Sequence, residues 1–170
     1  MPKVNRKKIS LNIDHEEIKQ MRASTSLSSD ILTNVCDQID DGLYLGDFCA
    51  ANDIVKMSQF DVIINITNQE SLKFDGKLHI HVPLEDSSTA NIKPVFDWCV
   101  PRILHFLSEG KKVFVHCHAG ISRSASVVIA TLMKKNGWNY DDTLQFVKSK
   151  RRQMTCPNFG FMYVLENLDN

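Results

Sequence analysis

The stretch of sequence that decides the fold is VFVHCHAGISRSASVVIA, residues 113–130. It opens on the apolar run 113–115, whose β-branched and aromatic side chains are typical of a buried strand. It closes on a helical pattern that starts near Ser124 and stops at Gly137, a residue type that commonly ends helices. A strand, a short glycine-bearing loop and a helix therefore follow one another. Loop amides and the positive end of a helix dipole together form a cradle for an anion.

Two side chains of this stretch carry chemistry. Cys117 directly follows the strand, where the positive field of the cradle favours the nucleophilic thiolate. Arg123, six residues after Cys117, closes the loop, and its planar guanidinium suits two oxygens of one phosphate group. We therefore predict that Cys117 attacks phosphorus and forms a cysteinyl-phosphate, which water then hydrolyses. Arg123 and the loop amides would hold the charge, so we expect neither a metal ion nor another cofactor.

The leaving alkoxide or phenoxide needs a proton, so a carboxylic acid must approach from the opposite side. Asp86 is the first candidate, because it follows a predicted strand at 78–82. Residues after such strands lie at the carboxyl edge of the sheet, where open α/β sheets carry their sites. Glu85 is the neighbouring alternative, and the spacing alone separates the two candidates only modestly.

Strand and helix patterns alternate along the chain. Strand patterns occupy 35–39, 43–45, 62–66, 78–82 and 113–115, and helical patterns occupy 92–107, 124–136, 141–151 and a last segment opened by Pro157. Pro101 interrupts the first of these helical patterns. The alternation predicts a single-domain α/β fold with a mainly parallel central sheet flanked by helices. We expect this domain to span 31–170, and 1–30 to form an N-terminal extension with a short helix at 14–23.

The composition disfavours several classes of protein. The 170 residues include 20 Lys and Arg and 20 Asp and Glu, so the formal net charge is zero. This balance argues against a surface built for nucleic acid or an anionic membrane, and we expect neither as a partner. The five cysteines are odd in number and form no C-x-x-C pair, which disfavours a disulfide framework or a zinc site. A reducing compartment fits this pattern, so we expect the protein in the cytoplasm or the nucleus.

The motif HCxxGxSRS, residues 116–124, resembles the signature of dual-specificity protein tyrosine phosphatases. The run 119–125 resembles the catalytic domains of MAP kinase phosphatases. The likeness extends from about residue 35 to the end and includes GLYLG at 42–46 and PNFGFM at 157–162. It implies a protein tyrosine phosphatase-like fold and hydrolysis of phosphotyrosine and phosphoserine or phosphothreonine. It also implies a phosphoprotein substrate, with MAP kinases among the candidates.

The resemblance implies a role for each matching residue. Cys117 would be the nucleophile and Arg123 the phosphate ligand. Ser124 would donate to the thiolate as it leaves, and His116 would hold the loop and tune the thiolate. Asp86 matches the acid of the family. The loop residues that would bind the substrate phosphate are His118, Ala119, Gly120, Ile121, Ser122 and Arg123.

Some features depart from the family or allow other functions. His118 stands where MAP kinase phosphatases often have glutamine, and we expect no room for their N-terminal kinase-docking domain. One alternative is a phosphatase for lipid or nucleotide phosphates, although the loop lacks the lysines that inositol substrates favour. Another is a non-catalytic phosphopeptide-binding module, which would be expected to have lost Cys117. The basic run 148–152 is typical of a solvated helix end, and RKKISL at 6–11 resembles a kinase-docking peptide.

Overall fold

The computed structural model of the protein describes residues 34–168. The predictions for the N-terminal extension, for its helix at 14–23 and for the docking-like peptide at 6–11 lie outside the described residues. Among the helices of 34–168, none combines the length and the apolar character needed to cross a membrane.

Within this range the strands form one five-stranded sheet in the order β1-β2-β5-β3-β4. The strands are β1 (Cys36–Asp40), β2 (Leu43–Gly46), β3 (Val62–Asn65), β4 (Leu78–His81) and β5 (Val113–His116). β1 pairs antiparallel with β2, and the other three pairings are parallel. The prediction of a mainly parallel central sheet is confirmed, and β5, the strand that precedes the cysteine, lies at its centre.

The two innermost parallel strands, β3 and β5, are buried along their whole length. Parallel strands covered on both faces read as continuous apolar runs, which is what these segments show. On one face, Ile63 and Phe114 lie side by side in register and pack with Met57 and Phe60. The opposite face carries Val115 into the larger cluster formed with the long helices. Helices therefore cover both faces of the sheet.

Six helices surround the sheet in the described region. They are α1 (Phe48–Ala51), α2 (Ile54–Met57), α3 (Lys93–Ser108), α4 (Arg123–Asn136), α5 (Tyr140–Lys150) and α6 (Phe159–Glu166). α1 and α2 were not predicted, because four residues are too few to show a helical period. Asp47 and Asp53 cap them, and each side chain accepts hydrogen bonds from the first turn.

Three helices can be compared in detail with the predictions from the sequence. α3 continues through Pro101, so this proline does not divide the helix. α4 ends at Gly137, whose left-handed φ of 68° confirms the predicted stop. Pro157 does not open α6, because Asn158 stands between them as the N-cap and the helix begins at Phe159.

Candidate active site

Cys117 lies where the central strand β5 ends, in the short loop that leads into α4. The residue is only 1% exposed. The hydroxyl of Ser124, in the first turn of α4, donates to Cys117 Sγ at 3.1 Å. This contact brings together two of the predicted site residues. A hydroxyl that donates to sulfur stabilises a thiolate more than a thiol, because the anion is the better acceptor.

The carbonyl oxygens of the loop are held by donors that surround it. Five carbonyl oxygens between residues 117 and 122 accept hydrogen bonds. The pairs are Cys117 O with His116 Nδ1 (3.3 Å), His118 O with Phe48 N (2.9 Å), Gly120 O with Arg151 Nη2 (2.9 Å), Ile121 O with Cys156 N (3.0 Å) and Ser122 O with Ser126 N (2.8 Å). In a trans peptide the N–H points opposite to the C=O. The N–H groups that follow these carbonyls therefore turn away from the surrounding elements and towards the inside of the loop, as an anion cradle requires.

Gly120 allows the loop to pack closely on the sheet. Its φ is 70°, in the left-handed region that side chains disfavour. A Cβ at this position would lie 2.5 Å from Gly46 O. Only glycine therefore fits between the loop and the end of β2.

The guanidinium of Arg123 lies at the edge of the loop, and the Arg123 side chain is 12% exposed. Its Nη1 donates to Leu84 O at 3.1 Å. Its Nε is buried and has no hydrogen-bond partner in the described region, although Asp86 Oδ2 lies 3.5 Å away as an ionic contact. A buried cationic donor with spare capacity beside inward-facing amides is suited to an oxygen of a phosphate group.

The structure distinguishes Asp86 from its neighbour Glu85. Asp86 Oδ1 accepts from Ser122 Oγ at 2.7 Å and from Asn158 Nδ2 at 2.8 Å. The carboxylate is therefore held at the rim of the cradle. Glu85 is exposed and makes no hydrogen bond or ion pair among the described contacts. This placement favours Asp86 as the candidate acid.

His116 is buried at the end of β5, where its ring stacks on Phe114 with centroids 5.6 Å apart. Burial lowers the pKa of His116 to about 4, so the imidazole is neutral near pH 7. A neutral imidazole can donate through Nδ1, and its described partner is the carbonyl of Cys117 rather than the thiol. The side chain thus fixes the first peptide of the loop.

The basic run 148–152 is solvated as predicted except at Arg151, because Lys148, Ser149, Lys150 and Arg152 are exposed. The side chain of Arg151 is 0% exposed. Its guanidinium donates to Leu45 O at 2.8 Å and to Gly120 O at 2.9 Å, and it lies 3.2 Å from Asp37 Oδ2. Arg151 therefore joins β1, β2 and the loop. No local signal in the sequence marks it, because its partners come from distant segments.

The histidines beside Cys117 point to different surroundings. His116 faces the core, whereas the exposed His118 stacks on Phe48, with ring centroids 6.2 Å apart and planes inclined by 27°. Across 34–168, no group of three or more His, Cys, Asp or Glu side chains is placed to hold a metal ion.

Comparison with known proteins gives a consistent family. Residues 43–170 match the family described as dual specificity phosphatase, catalytic domain. Dual specificity protein phosphatase 1 of Arabidopsis thaliana is 37% identical over 139 residues, covering 80% of this chain and 70% of that protein. Human dual specificity protein phosphatase 1 is 37% identical over 123 residues, covering 71% of this chain and 33% of that protein. A crystal structure of DUSP15 superposes with a TM-score of 0.74 at 31% identity, covering 78% of this chain and 86% of that one.

The matched region contains β5, the loop, the candidate acid and α6. The chain spans about a third of the length of the human relative. By its sequence, its fold and the relatives it matches, the chain belongs to the family of dual-specificity protein phosphatase catalytic domains.

Proposed function

We propose that this chain is a dual-specificity protein phosphatase that hydrolyses phosphotyrosine and phosphoserine or phosphothreonine through a cysteinyl-phosphate on Cys117. The observation that carries the proposal is the position of Cys117 Sγ, 3.1 Å from Ser124 Oγ, within a loop whose carbonyls are held outward. Asp86 at the rim supplies the second group that the reaction needs. The nucleophile and the anion cradle come from one segment of the chain, 116–124, and the candidate acid comes from a second segment.

In the first step, the Cys117 thiolate forms a bond to phosphorus as the bond to the leaving oxygen breaks. The inward amides and Arg123 bind the non-bridging oxygens, where negative charge is concentrated. The leaving oxygen receives a proton from Asp86, which is within reach of the same cradle through its contacts to Ser122 and Arg123.

In the second step, water attacks phosphorus and the sulfur leaves as a thiolate. Asp86, now a carboxylate, takes the proton from the attacking water. Ser124 donates to the departing thiolate through the contact described above. The enzyme returns to its starting protonation state, and the products are inorganic phosphate and the free hydroxyl.

Two observations support a protein substrate. The loop side chains His118, Ala119 and Ile121 add no Lys or Arg to the cradle, so the site is not built for a polyphosphorylated inositol. The Asp86 side chain is 36% exposed, and an acid at such an open rim supports a shallow cleft that accepts a short phosphothreonine as well as a phosphotyrosine. The likeness of 119–125 to MAP kinase phosphatases makes a MAP kinase the first protein substrate to test.

The compartment we propose is the cytoplasm or the nucleus. The five cysteines are all free thiols, which supports a reducing environment.

The proposal is tested by phosphate release in the presence of EDTA and a reductant. The substrates are a peptide with phosphothreonine and phosphotyrosine, and an inositol phospholipid, with Cys117→Ser as the blank. Release from both peptide sites, lost in Cys117→Ser, is the expected result. Release from the lipid alone would instead indicate a phosphatase for non-protein phosphates. No release would indicate a phosphopeptide-binding module.

A further inference from the structure

Asn158, the N-cap of α6, contacts both the candidate acid Asp86 and the loop that follows Cys117. The backbone N–H of Asn158 donates to Ser122 Oγ at 3.2 Å. Its side-chain Nδ2 donates to Asp86 Oδ1 at 2.8 Å, and its Oδ1 accepts from Phe161 N at 3.0 Å. The backbone N–H, Nδ2 and Oδ1 of Asn158 each have a different partner. Because Oδ1 accepts the capping hydrogen bond from Phe161 N, the side-chain amide is oriented with Nδ2 towards Asp86.

We propose that Asn158 is a positioning residue that selects which carboxylate oxygen of Asp86 delivers the proton. The inference rests on the proposed function, because it takes Asp86 as the general acid. Two donors converge on Oδ1, one from Asn158 directly and one from Ser122, whose hydroxyl in turn accepts from Asn158. A proton on Oδ1 would have to displace one of them. The proton is therefore carried by Oδ2.

Oδ2 is the oxygen that faces the phosphate ligand. It lies 3.5 Å from Nε of Arg123, the buried donor that has spare capacity. A proton on Oδ2 is thus next to the place where the phosphoryl group and its leaving oxygen would sit. Without the donors on Oδ1, the exposed Asp86 side chain could rotate and present either oxygen in either direction.

Close backbone packing keeps the two segments together. A Cβ built at Gly160 would overlap Ser88 O, so α6 lies directly against the segment that carries Asp86. The hydrogen bond from Asn158 therefore spans two backbones whose separation is fixed. This contact explains why the residue is an asparagine rather than another good N-cap. Aspartate and serine cap helices equally well, but neither offers Asp86 the same N–H donor.

This equivalence supplies variants that keep the cap. Asn158→Ser retains an N-cap oxygen and removes the donor to Asp86. Asn158→Asp retains the cap and faces Asp86 Oδ1 with a second carboxylate oxygen. Asn139→Ser is the matched control, because Asn139 caps α5 in the same way and its Nδ2 also donates to a carboxylate, that of Asp142, at 2.8 Å.

The test compares two substrates of different leaving group with the full 170-residue chain. A phosphothreonine peptide needs protonation of its alkoxide, whereas the nitrophenolate of p-nitrophenyl phosphate leaves readily without it. We expect Asn158→Ser to lower kcat about tenfold for the peptide and about twofold for p-nitrophenyl phosphate. The tenfold value is a part of the loss that removal of a general acid causes. Asn158→Asp should show a larger difference between the substrates, and Asn139→Ser none.

An Asp86→Asn variant separates the inference from the function on which it rests. The inference alone would be overturned if Asp86→Asn lowered kcat more for the peptide than for p-nitrophenyl phosphate while Asn158→Ser lowered kcat equally for both. Equal losses for both substrates in Asp86→Asn would overturn the acid assignment, and the inference with it. Losses that depend on the leaving group in both variants are the result we expect.

Discussion

The buried Arg151 gives the sharpest prediction about how the cradle is shaped. Lysine at this position keeps the positive charge near Asp37, but a single ammonium cannot bridge Leu45 O and Gly120 O as the guanidinium does. If the ammonium bonds to Leu45 O, Gly120 O loses its described donor, and an unpaired buried carbonyl costs about 1–3 kcal/mol. We expect Arg151→Lys to lower the free energy of unfolding by about 2 kcal/mol.

The same substitution should weaken the binding of phosphate. Gly120 O is held outward by Arg151, and the N–H that follows in the chain is thereby held inward. If this peptide can rotate, the cradle loses one hydrogen bond to an anion, worth about 1.5–3 kcal/mol. That loss corresponds to an inhibition constant for inorganic phosphate that is roughly 10- to 150-fold weaker.

The assays are urea unfolding and inhibition of p-nitrophenyl phosphate hydrolysis by inorganic phosphate. Arg152→Lys is the control, because Arg152 bonds to the same Asp37 but is 72% exposed and makes no described contact with the loop. It should change neither quantity appreciably. An Arg151→Lys variant that loses stability but keeps the phosphate inhibition constant within about twofold would refute the role of Arg151 in shaping the cradle.

Three further predictions follow from burial and backbone geometry. Burial lowers the pKa of His116 to about 4 from 6.5, so the unfolded chain binds this proton more readily, and about 3 kcal/mol of stability present above pH 6.5 should be lost as the pH falls towards 4. Urea unfolding of the protein and of His116→Gln across this pH range checks the prediction. An equal dependence of the unfolding free energy on pH in both proteins would contradict it. Gly120→Ala should lower the free energy of unfolding by more than the roughly 1–2 kcal/mol of an alanine in the left-handed region, and it should abolish turnover. Gly110→Ala is the control, because Gly110 has a φ of 72° with no atom near a Cβ built at that position, so it should lose only that amount and keep its turnover. Equal losses of stability in thermal unfolding would count against the close approach of Gly120 to Gly46. Burial raises the pKa of the half-buried Cys36 thiol to about 11 and that of the buried Cys99 thiol to about 12. Iodoacetamide at neutral pH should therefore leave both unlabelled in peptide mass spectrometry of the folded protein, and rapid labelling of either would contradict its raised pKa.

Local sequence was sufficient for the parts of the site that are contiguous in the chain. The strand, the glycine loop and the helix start around Cys117 follow one another without interruption, so their order implies their geometry. The same holds for β3, whose continuous apolar run predicted burial on both faces. The contact of Ser124 with Cys117 was expected from the family resemblance, and the structure places the two atoms within 3.1 Å.

Long-range contacts could not be predicted in this way. Arg151 follows a charged helix end, which usually faces solvent, and its burial depends on Asp37 and Leu45 far earlier in the chain. Asp86 was already the first candidate acid, but the hydrogen bond that holds it comes from Asn158, which stands 72 positions away and could not be anticipated. Pairwise contacts of this kind leave no periodic pattern in either segment.

The most direct test of the proposed chemistry is rapid-quench mass spectrometry during turnover of p-nitrophenyl phosphate. Ser124→Ala is the variant to use, because loss of the hydrogen bond to the departing thiolate should slow the second step and let the intermediate accumulate. We predict a phosphoryl group on the peptide that contains Cys117, together with a burst of nitrophenolate before steady turnover. Turnover without any phosphoryl group on Cys117, or activity that survives in Cys117→Ser, would contradict covalent catalysis by this residue.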